Sequence, residues 1–135
     1  MTLSKTLSKN FAGFERLRQE DVGSTRAAVM LLVTLEPGSN EGSVILTRRA
    51  KTLRRHAGQY ALPGGRAEPK ETPTVTALRE CREEIGVEPK AHHVIGLLDD
   101  FVTESGFCIT PVVACMDETL TPTPVPAEVE RVFHI

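Results

Sequence analysis

The segment from Gly65 to Val87 constrains this 135-residue chain more than any other feature. It joins a glycine loop to a run of acidic and apolar residues without proline or glycine, and it closes on a further glycine. Thr72 is placed to cap a helix, Pro73 suits the first turn, and Gly86 suits a left-handed C-terminal residue. The segment therefore predicts a loop, a helix and a second loop.

The predicted helix carries an apolar face and an acidic face. At about 100° per residue, Leu78, Cys81 and Ile85 fall on one side. Three acids gather on a different face, which we expect to be turned well away from the apolar stripe: Glu80, Glu83 and Glu84. Like charges this close repel one another, and a hard cation such as Mg²⁺ or Mn²⁺ relieves that repulsion and brings substrate phosphates with it. A solvated acidic face is the alternative, and three glutamates alone would favour it.

The glycines, Glu71 and the acidic helix together resemble the signature box of the Nudix hydrolases, which cleave a nucleoside diphosphate linked to another group. The box covers residues 65–87 and departs from the family pattern at Cys81, where a bulky aliphatic residue is usual. The resemblance implies three metal ligands that also serve catalysis: Glu80, Glu83 and Glu84. It implies structural roles for three further box residues: Glu71, Arg79 and Gly86.

A second motif, at residues 45–65, precedes the box and ends in Pro-Gly-Gly. It is similar to the motif of the coenzyme A diphosphatase branch of the family, and residues 101–114 resemble the same branch. Leu62 is a departure, since that branch usually has phenylalanine there. The substrate-binding residues implied by this resemblance are Arg49, Arg54, His56, Gly64 and Gly65.

Cations are concentrated in the second motif. Five fall within eight residues of a chain whose net charge is −2: Arg48, Arg49, Lys51, Arg54 and Arg55. Guanidinium groups donate paired hydrogen bonds to phosphate, which suits a ligand with a diphosphate and a separate 3′-phosphate. A solvated basic loop and a nucleic-acid surface are the alternatives. One Tyr, no Trp and a slightly acidic chain argue against nucleic acid.

Length and composition limit the protein class. We expect one domain over residues 1–135, with residues 1–24 as an arm or short helix. Hydrophobic content of 40% and charged content of 25% are ordinary for a globular protein, and the apolar runs are too short for a membrane span. Three cysteines without metal-type spacing favour reduced residues in a cytoplasmic protein.

Hydrophobic and turn patterns predict a mixed α/β fold. We expect strands at 26–35 and 43–47 joined as a hairpin, with four more near 59–62, 93–98, 107–116 and 128–135. The strand at 107–116 is expected to break or start near Pro111. The Nudix resemblance implies an α/β/α sandwich with a mixed sheet. It also implies a helix after the last strand, so we expect that C-terminal helical part to be truncated, or a homodimer to cover its place.

Acids outside the box are candidates for a further ligand or general base: Asp99, Asp100 and, as the selected catalytic residue, Glu104. The implied reaction is hydrolysis assisted by Mg²⁺ or Mn²⁺, which converts coenzyme A to 3′,5′-ADP and 4′-phosphopantetheine. A diphosphatase of ADP-ribose or dinucleotides is the alternative enzyme. A catalytically silent nucleotide-binding module is the alternative of another class. The expected partner is a small nucleotide, with neither nucleic acid nor membrane.

Overall fold

The fold is a mixed sheet with a helix on each face. The computed structural model describes residues 2–18, 25–54 and 57–135. Within them the α-helices are α1 (Leu3–Phe11) and α2 (Pro73–Ile85), and neither has the length and apolar character needed to cross a membrane. The strands are β1 (Thr25–Leu35), β2 (Gly42–Arg49), β3 (Tyr60–Ala61), β4 (Gly64–Arg66), β5 (Val94–Leu97), β6 (Phe101–Val102), β7 (Phe107–Cys115) and β8 (Val129–His134).

The sheet is organised around β1 and β7, which run parallel from the pair Thr25–Phe107 to the pair Val33–Cys115. On its other edge, β1 pairs antiparallel with β2 near Leu35, which confirms the predicted hairpin. β2 then diverges to pair with β3 and β8, and β4 pairs with β1 beyond the point where β2 leaves it. β5 and β6 pair with β7. The end of β2 and the glycine strand β4 therefore lie where the sheet divides.

The two faces of the sheet are covered by different helices. One face forms the main core with α2: Ala28, Met30, Leu32, Ala77, Cys81 and Ile85. α1 lies on the opposite face, where Phe11 packs against Gly96 so closely that an added Cβ would come within 2.8 Å of the ring atom Cδ1. The Ser4 N–H of α1 also donates to Asp117 at 2.8 Å. The predicted α/β/α sandwich with a mixed sheet is confirmed.

The bounds of α2 follow the local signals in the sequence. The Thr72 hydroxyl accepts from the Val75 N–H at 3.3 Å, and Pro73 is the first helical residue. Gly86 has φ 67° and its N–H donates to the Arg82 carbonyl at 3.0 Å. Glycine adopts this left-handed conformation without the steric cost of a Cβ, so the helix ends there.

Glu84 does not lie where the helical pattern places it. It is only 7% exposed and faces the core side of the helix, whereas we expected the acidic face to point well away. Seven residues separate Glu84 from buried Ala77, which puts the two about 20° apart around the helix. The chain opposite is Gly64, which has no side chain to exclude the carboxylate and whose N–H donates to Glu84 Oε2 at 2.8 Å.

β7 also differs from expectation, because it runs unbroken through Pro111. The neighbouring residues on one side pair with β6 and those on the other side pair with β5. The Pro111 carbonyl accepts from the Leu98 N–H at 2.9 Å, so the proline nitrogen points into the gap between these two short strands. The missing N–H therefore removes no ladder hydrogen bond, and the strand continues.

The loop before β8 is bonded to the C-terminal end of α2. The Val125 N–H donates to the Glu84 carbonyl at 2.9 Å, and the Thr123 N–H donates to the Ile85 carbonyl at 2.7 Å. These carbonyls belong to the last turn, where helical partners run out. The loop then passes the end of β2, where the Ala50 N–H donates to the carbonyl of Glu128 at 3.0 Å.

Candidate active site

Two carboxylates of α2 meet the glycine strand β4. Glu84 accepts from the Gly64 N–H, and Glu80 lies against Gly65, where an added Cβ would come within 2.7 Å of Glu80 Cδ. A Cβ on Gly64 would come within 2.8 Å of the Val29 Cα. Real Cβ atoms do not approach other heavy atoms this closely. Glycine at both positions is therefore what lets β4 fit between β1 and the two carboxylates.

The carboxylate of Glu84 is held in an environment that disfavours its charge. Its pKa is raised to about 8, mainly by burial, with repulsion from Glu80 and Glu128 contributing to the rise. The hydrogen bond from Gly64 and the positive charge of Arg49 act in the opposite direction without cancelling the rise. Glu84 is therefore a protonated or readily neutralised acid at neutral pH unless a cation joins it.

Glu80 experiences the same kind of environment. Burial is the main cause of the rise in its pKa, and the charges of Glu83 and Glu128 add to it. The hydrogen bond and charge of Arg79 oppose that rise. Four acids are thus linked electrostatically beside the glycine strand, namely Glu80, Glu83, Glu84 and Glu128, and burial disfavours the charge of Glu80 and Glu84.

Arg79 joins the loop before α2 to the acids on the helix. Its Nε and Nη2 donate to the two carboxylate oxygens of Glu71 at 2.8 and 2.9 Å, and Nη2 also donates to the Arg66 carbonyl at 3.0 Å. The hydrogen bonding between Arg79 and the Glu71 carboxylate is the main reason that the pKa of Glu71 falls to about 2. Nη1 donates to Glu80 at 2.9 Å and to Glu83 at 3.2 Å. One guanidinium therefore fixes the loop and orients two of the acids.

The donor chemistry of the cluster fits a divalent cation. Mg²⁺ and Mn²⁺ take carboxylate oxygens, and Glu80 and Glu84 bring them to one strand with pKa values raised by burial. Glu83 is exposed and faces Arg79. Across residues 2–18, 25–54 and 57–135, no three Asp, Glu, His or Cys side chains converge as a ready-made metal site. Glu80 and Glu84 are thus the pair suited to hold the ion, and Glu83 would join by leaving Arg79.

Glu128 is a fourth acid of the cluster, and the sequence pattern missed it. Its charge raises the pKa of both Glu80 and Glu84, although it lies more than forty residues after the box helix. The pairing of β8 with β2 and the bond from Ala50 bring it there. Its position as the first residue of the last predicted strand, 128–135, is the one sequence signal that could have drawn attention to it.

The sequence predicts Glu104 as the catalytic acid outside the box, but the structure places it in an exposed turn and not among the acids that influence Glu80 and Glu84. It lies in the exposed turn between β6 and β7, where the Thr103 hydroxyl accepts from the Phe107 N–H at 3.0 Å and closes the turn on itself. The carboxylate outside the box that acts on Glu80 and Glu84 is instead that of Glu128, because β8 returns to β2 beside the box.

The other two acids considered have structural contacts. Asp100 is buried, and its Oδ1 accepts from Arg16 Nη1 at 2.7 Å and from the Thr110 hydroxyl at 2.6 Å. Asp99 accepts from the Leu17 N–H at 2.7 Å. Both acids therefore fasten the segment before β1 to the sheet.

A cleft of about 360 Å³ opens beside the glycine strand on the sheet face opposite α2. Its walls are the apolar residues of β1 and β7 together with Tyr60, Arg49 and Arg66. The Arg66 guanidinium stacks 5.2 Å from the centroid of the Phe107 ring. Arg49 lines this cleft, and its positive charge also lowers the pKa of Glu84. Apolar walls with a few cations can hold a planar base and its phosphates.

The remaining predicted substrate residues are distributed differently. Gly64 and Gly65 line the cleft with Arg49. Arg54 is exposed in the loop between β2 and β3, outside the described lining of the cleft. His56 lies outside the residues that the structure describes. The structure therefore brings together the glycines and Arg49 but not Arg54.

The chain belongs to the Nudix family: the NUDIX domain model matches residues 24–134. It is similar to an uncharacterised Nudix hydrolase, NudL, of Yersinia enterocolitica, with 38% identity over 97% of this chain and 68% of that protein. NudL of Photorhabdus laumondii is 39% identical over 81% of this chain and 57% of its own length. The chain thus spans between about half and two thirds of the length of these relatives.

Solved structures agree with this assignment. The Nudix hydrolase RenU of M. smegmatis has a TM-score of 0.64 and 27% identity, covering 91% of this chain and 80% of that one. A MutT/nudix family protein of Enterococcus faecalis has a TM-score of 0.68 at 19% identity, covering 99% of this chain and 51% of that one, which shows the fold. The prediction of a Nudix hydrolase is confirmed.

Proposed function

We propose that this chain hydrolyses the diphosphate linkage of coenzyme A and releases 3′,5′-ADP and 4′-phosphopantetheine. The observation that carries the proposal is that the carboxylates of Glu84 and Glu80 lie against the backbone of Gly64 and Gly65, beside a cleft and under the influence of the charge of Glu128. Acids whose charge is disfavoured by burial and mutual repulsion are suited to Mg²⁺ or Mn²⁺. Membership of the Nudix family supports hydrolysis of a nucleoside diphosphate derivative.

Each residue of the cluster has a distinct role in the proposed reaction. Glu80 and Glu84 would hold the divalent cation, with Glu83 joining them. The cation, when bound, neutralises the diphosphate and the charge that develops on it. Glu128 is exposed and its charge acts on both Glu80 and Glu84, so in this proposal it would accept the proton of the attacking water. The water oxygen bonds to one phosphorus, the bond from that phosphorus to the bridging oxygen breaks, and the bridging oxygen leaves with the other phosphate.

Coenzyme A as the substrate is supported by sequence and by charge. The motifs at residues 45–65 and 101–114 resemble the coenzyme A diphosphatase branch, and both contribute walls of the cleft through Arg49 and Phe107. A positive group at the cleft also suits a ligand with several phosphates. The three free cysteines, all buried, support a cytoplasmic location. A homodimer stays a prediction.

Product analysis tests the substrate. The protein is incubated with Mg²⁺ or Mn²⁺ and with coenzyme A, ADP-ribose or NADH, and the products are separated by chromatography. A preference for coenzyme A supports the proposal. Turnover of ADP-ribose or NADH alone would assign the alternative diphosphatase. Nucleotide binding without turnover of any of the three would assign a silent module.

A matched pair of variants tests the assignment of the acids. Glu84→Gln should lower kcat on the order of 10²–10³-fold, since it removes a charge that acts at the reacting phosphates. Glu88→Gln is the control, because Glu88 is exposed just beyond the same helix and pairs with Arg82 at 3.6 Å. Full activity of Glu84→Gln would contradict the proposed role.

A further inference from the structure

The single tyrosine of the chain lies in the wall of the cleft beside the glycine strand. Tyr60 is the first residue of β3, and 59% of it is exposed although it lines a cavity of about 360 Å³. Exposure of one aromatic ring is ordinary on a protein surface. The role of Tyr60 therefore has to be argued from how the ring is held.

Two neighbouring strands hold the ring of Tyr60. Arg48 is its partner across the pairing of β2 with β3, and the Arg48 guanidinium lies over the ring with Cζ 5.6 Å from the centroid. The ring of Phe133 on β8 lies 5.6 Å away, centroid to centroid, at an interplanar angle of 52°. The tyrosine ring is thus supported by a cation from β2 and by a second ring from β8.

These two supports are themselves fixed. Arg48 Nε donates to the Gly58 carbonyl at 3.0 Å and lies 3.5 Å from the Glu130 carboxylate. The Arg131 guanidinium lies 5.2 Å from the centroid of Phe133. A ring that is ordered before binding loses little conformational freedom when a ligand packs against it.

The other aromatic ring of the cleft is less suited to receive a ligand. Phe107 is half-buried, and the Arg66 guanidinium stacks on it at 5.2 Å from the centroid. Tyr60 combines a supported ring with a surface of which more than half remains accessible. It is therefore the ring on which a further planar group can pack.

We propose that Tyr60 stacks on the nucleobase of the substrate and makes the site prefer nucleoside diphosphates to diphosphates without a base. Aromatic rings stack on every base, since each base has a π face. Gly64 and Gly65 line the same cleft and also contact the carboxylates of Glu84 and Glu80, so the cleft adjoins the acids across one short strand. The inference rests on the proposed function, because it assigns the base of the same substrate.

Tyrosine fluorescence tests the stacking without turnover. The chain has one tyrosine and no tryptophan, so this emission reports on Tyr60 alone. Adenosine 5′-monophosphate is titrated against ribose 5-phosphate, which is the same molecule without its base, and free tyrosine amide corrects for absorption by the ligand. The nucleotide should lower the emission to a plateau, with the Kd that calorimetry gives. Ribose 5-phosphate should leave the emission unchanged.

Three results of this titration would overturn the stacking. They are the absence of nucleotide binding, nucleotide binding by calorimetry without loss of emission, and an equal loss of emission with ribose 5-phosphate. The last result would mean that the ring senses the phosphate and not the base. Because the titration uses wild-type protein, it decides the question even if a substitution of Tyr60 prevents folding.

Variants separate stacking from a purely structural role of the ring. Tyr60→Leu should weaken nucleotide binding about 5-fold or more, whereas Tyr60→Phe should stay within about 2-fold of wild type because the ring is kept. Phe101→Leu is the matched control, since Phe101 is 63% exposed but lies outside the described lining of the cleft. Unchanged affinity in Tyr60→Leu would contradict the proposal.

Kinetics relate the stacking to the reaction. Stacking is present in the bound substrate and in the transition state alike, so Tyr60→Leu should raise KM for coenzyme A about 5-fold or more and leave kcat within about 2-fold. Loss of kcat with unchanged KM would indicate a displaced active site instead. Failure of wild type to hydrolyse coenzyme A would overturn the proposed substrate and leave the result of the titration intact.

Discussion

The carboxylate of Glu80 lies directly against the α-carbon of Gly65, with no space between them for a methyl group. A Cβ at residue 65 would come within 2.7 Å of Glu80 Cδ and 3.0 Å of Oε2. The glycine of the loop is therefore a steric condition for the position of an acid fifteen residues later on the helix. The fifteen-residue spacing between Gly65 and Glu80 therefore corresponds to a direct contact between the loop and the helix.

Gly65→Ala should displace the Glu80 carboxylate and lower kcat/KM on the order of 10²-fold, since a misplacement of about 1 Å at a reacting group costs that much. Steady-state hydrolysis with Mg²⁺ measures it. Gly42→Ala is the control, because its added methyl meets the flexible end of Leu3, far from the acids. Equal activity of the two variants would contradict the steric role.

Glu84 should make stability depend on pH when metal is absent. Its folded pKa of about 8 lies above the ordinary value of 4.5, so the unfolded chain releases this proton first. The stability contribution is therefore complete below about pH 4.5 and is lost as the pH rises through 8. Glu84→Gln keeps an acceptor for the Gly64 N–H. At pH 8 its free energy of unfolding should exceed that of wild type by on the order of 1–3 kcal/mol.

Thermal unfolding in EDTA at pH 5 and pH 8 checks this expectation. The difference in Tm between Glu84→Gln and wild type should be larger at pH 8, and Mg²⁺ should reduce it by binding the wild-type folded state. Glu88→Gln should show no such pattern. A difference that is the same at both pH values would count against burial as the cause.

The contribution of Glu71 to stability should depend on pH in the direction opposite to that of Glu84. Arg79 lowers the pKa of Glu71 to about 2, so the contribution is complete above about pH 4.5 and is lost as the pH falls toward 2. Glu71→Gln should lower the free energy of unfolding by about 1–3 kcal/mol at pH 7, and by less at pH 3. Urea denaturation measures both values.

Glu68→Gln is the matched control for Glu71→Gln. Glu68 lies 3.8 Å from the same Arg79, but its side chain is 65% exposed, so its loss should cost less than about 0.5 kcal/mol. A cost as large as that of Glu71→Gln would mean that proximity to Arg79, not the two-oxygen bond, stabilises the loop.

Substitutions of Glu128 and Glu104 should have different effects on activity. Glu128→Gln should lower kcat by about 10²-fold, as expected for loss of a proton acceptor, because Glu128 acts on both Glu80 and Glu84. Glu104→Gln should keep near wild-type activity, because Glu104 lies in a separate exposed turn. The reverse result would restore the sequence-based choice.

Local signals explain which parts of the fold the sequence predicts. Thr72, Pro73 and Gly86 each act within one helical turn, so the bounds of α2 can be taken directly from the chain. The residues of β4 offer no alternation to recognise, and their conformation depends on pairing with β1. Pro111 misleads for the same reason, because its effect depends on which neighbour its nitrogen faces.

The residues of the site also divide into those that local sequence signals predict and those that depend on contacts between distant segments. Helical spacing is enough to group Glu80 with Glu84, and the box places both at a glycine loop. The burial of Glu84 depends on Gly64 lying opposite, and the position of Glu128 depends on the pairing of β8 with β2. These contacts join distant segments, and a periodicity argument within one segment does not contain them.

Glu84 is bonded at both ends, since its carboxylate accepts from Gly64 and its carbonyl accepts from Val125. The loop that holds this carbonyl also carries Glu128. Separation of that loop from α2 would therefore disengage two of the four acids at once, and the site would be lost as a cooperative unit. The hydrogen-exchange rate of the Val125 backbone amide should therefore report how often this loop separates from α2, and so how often the whole site opens.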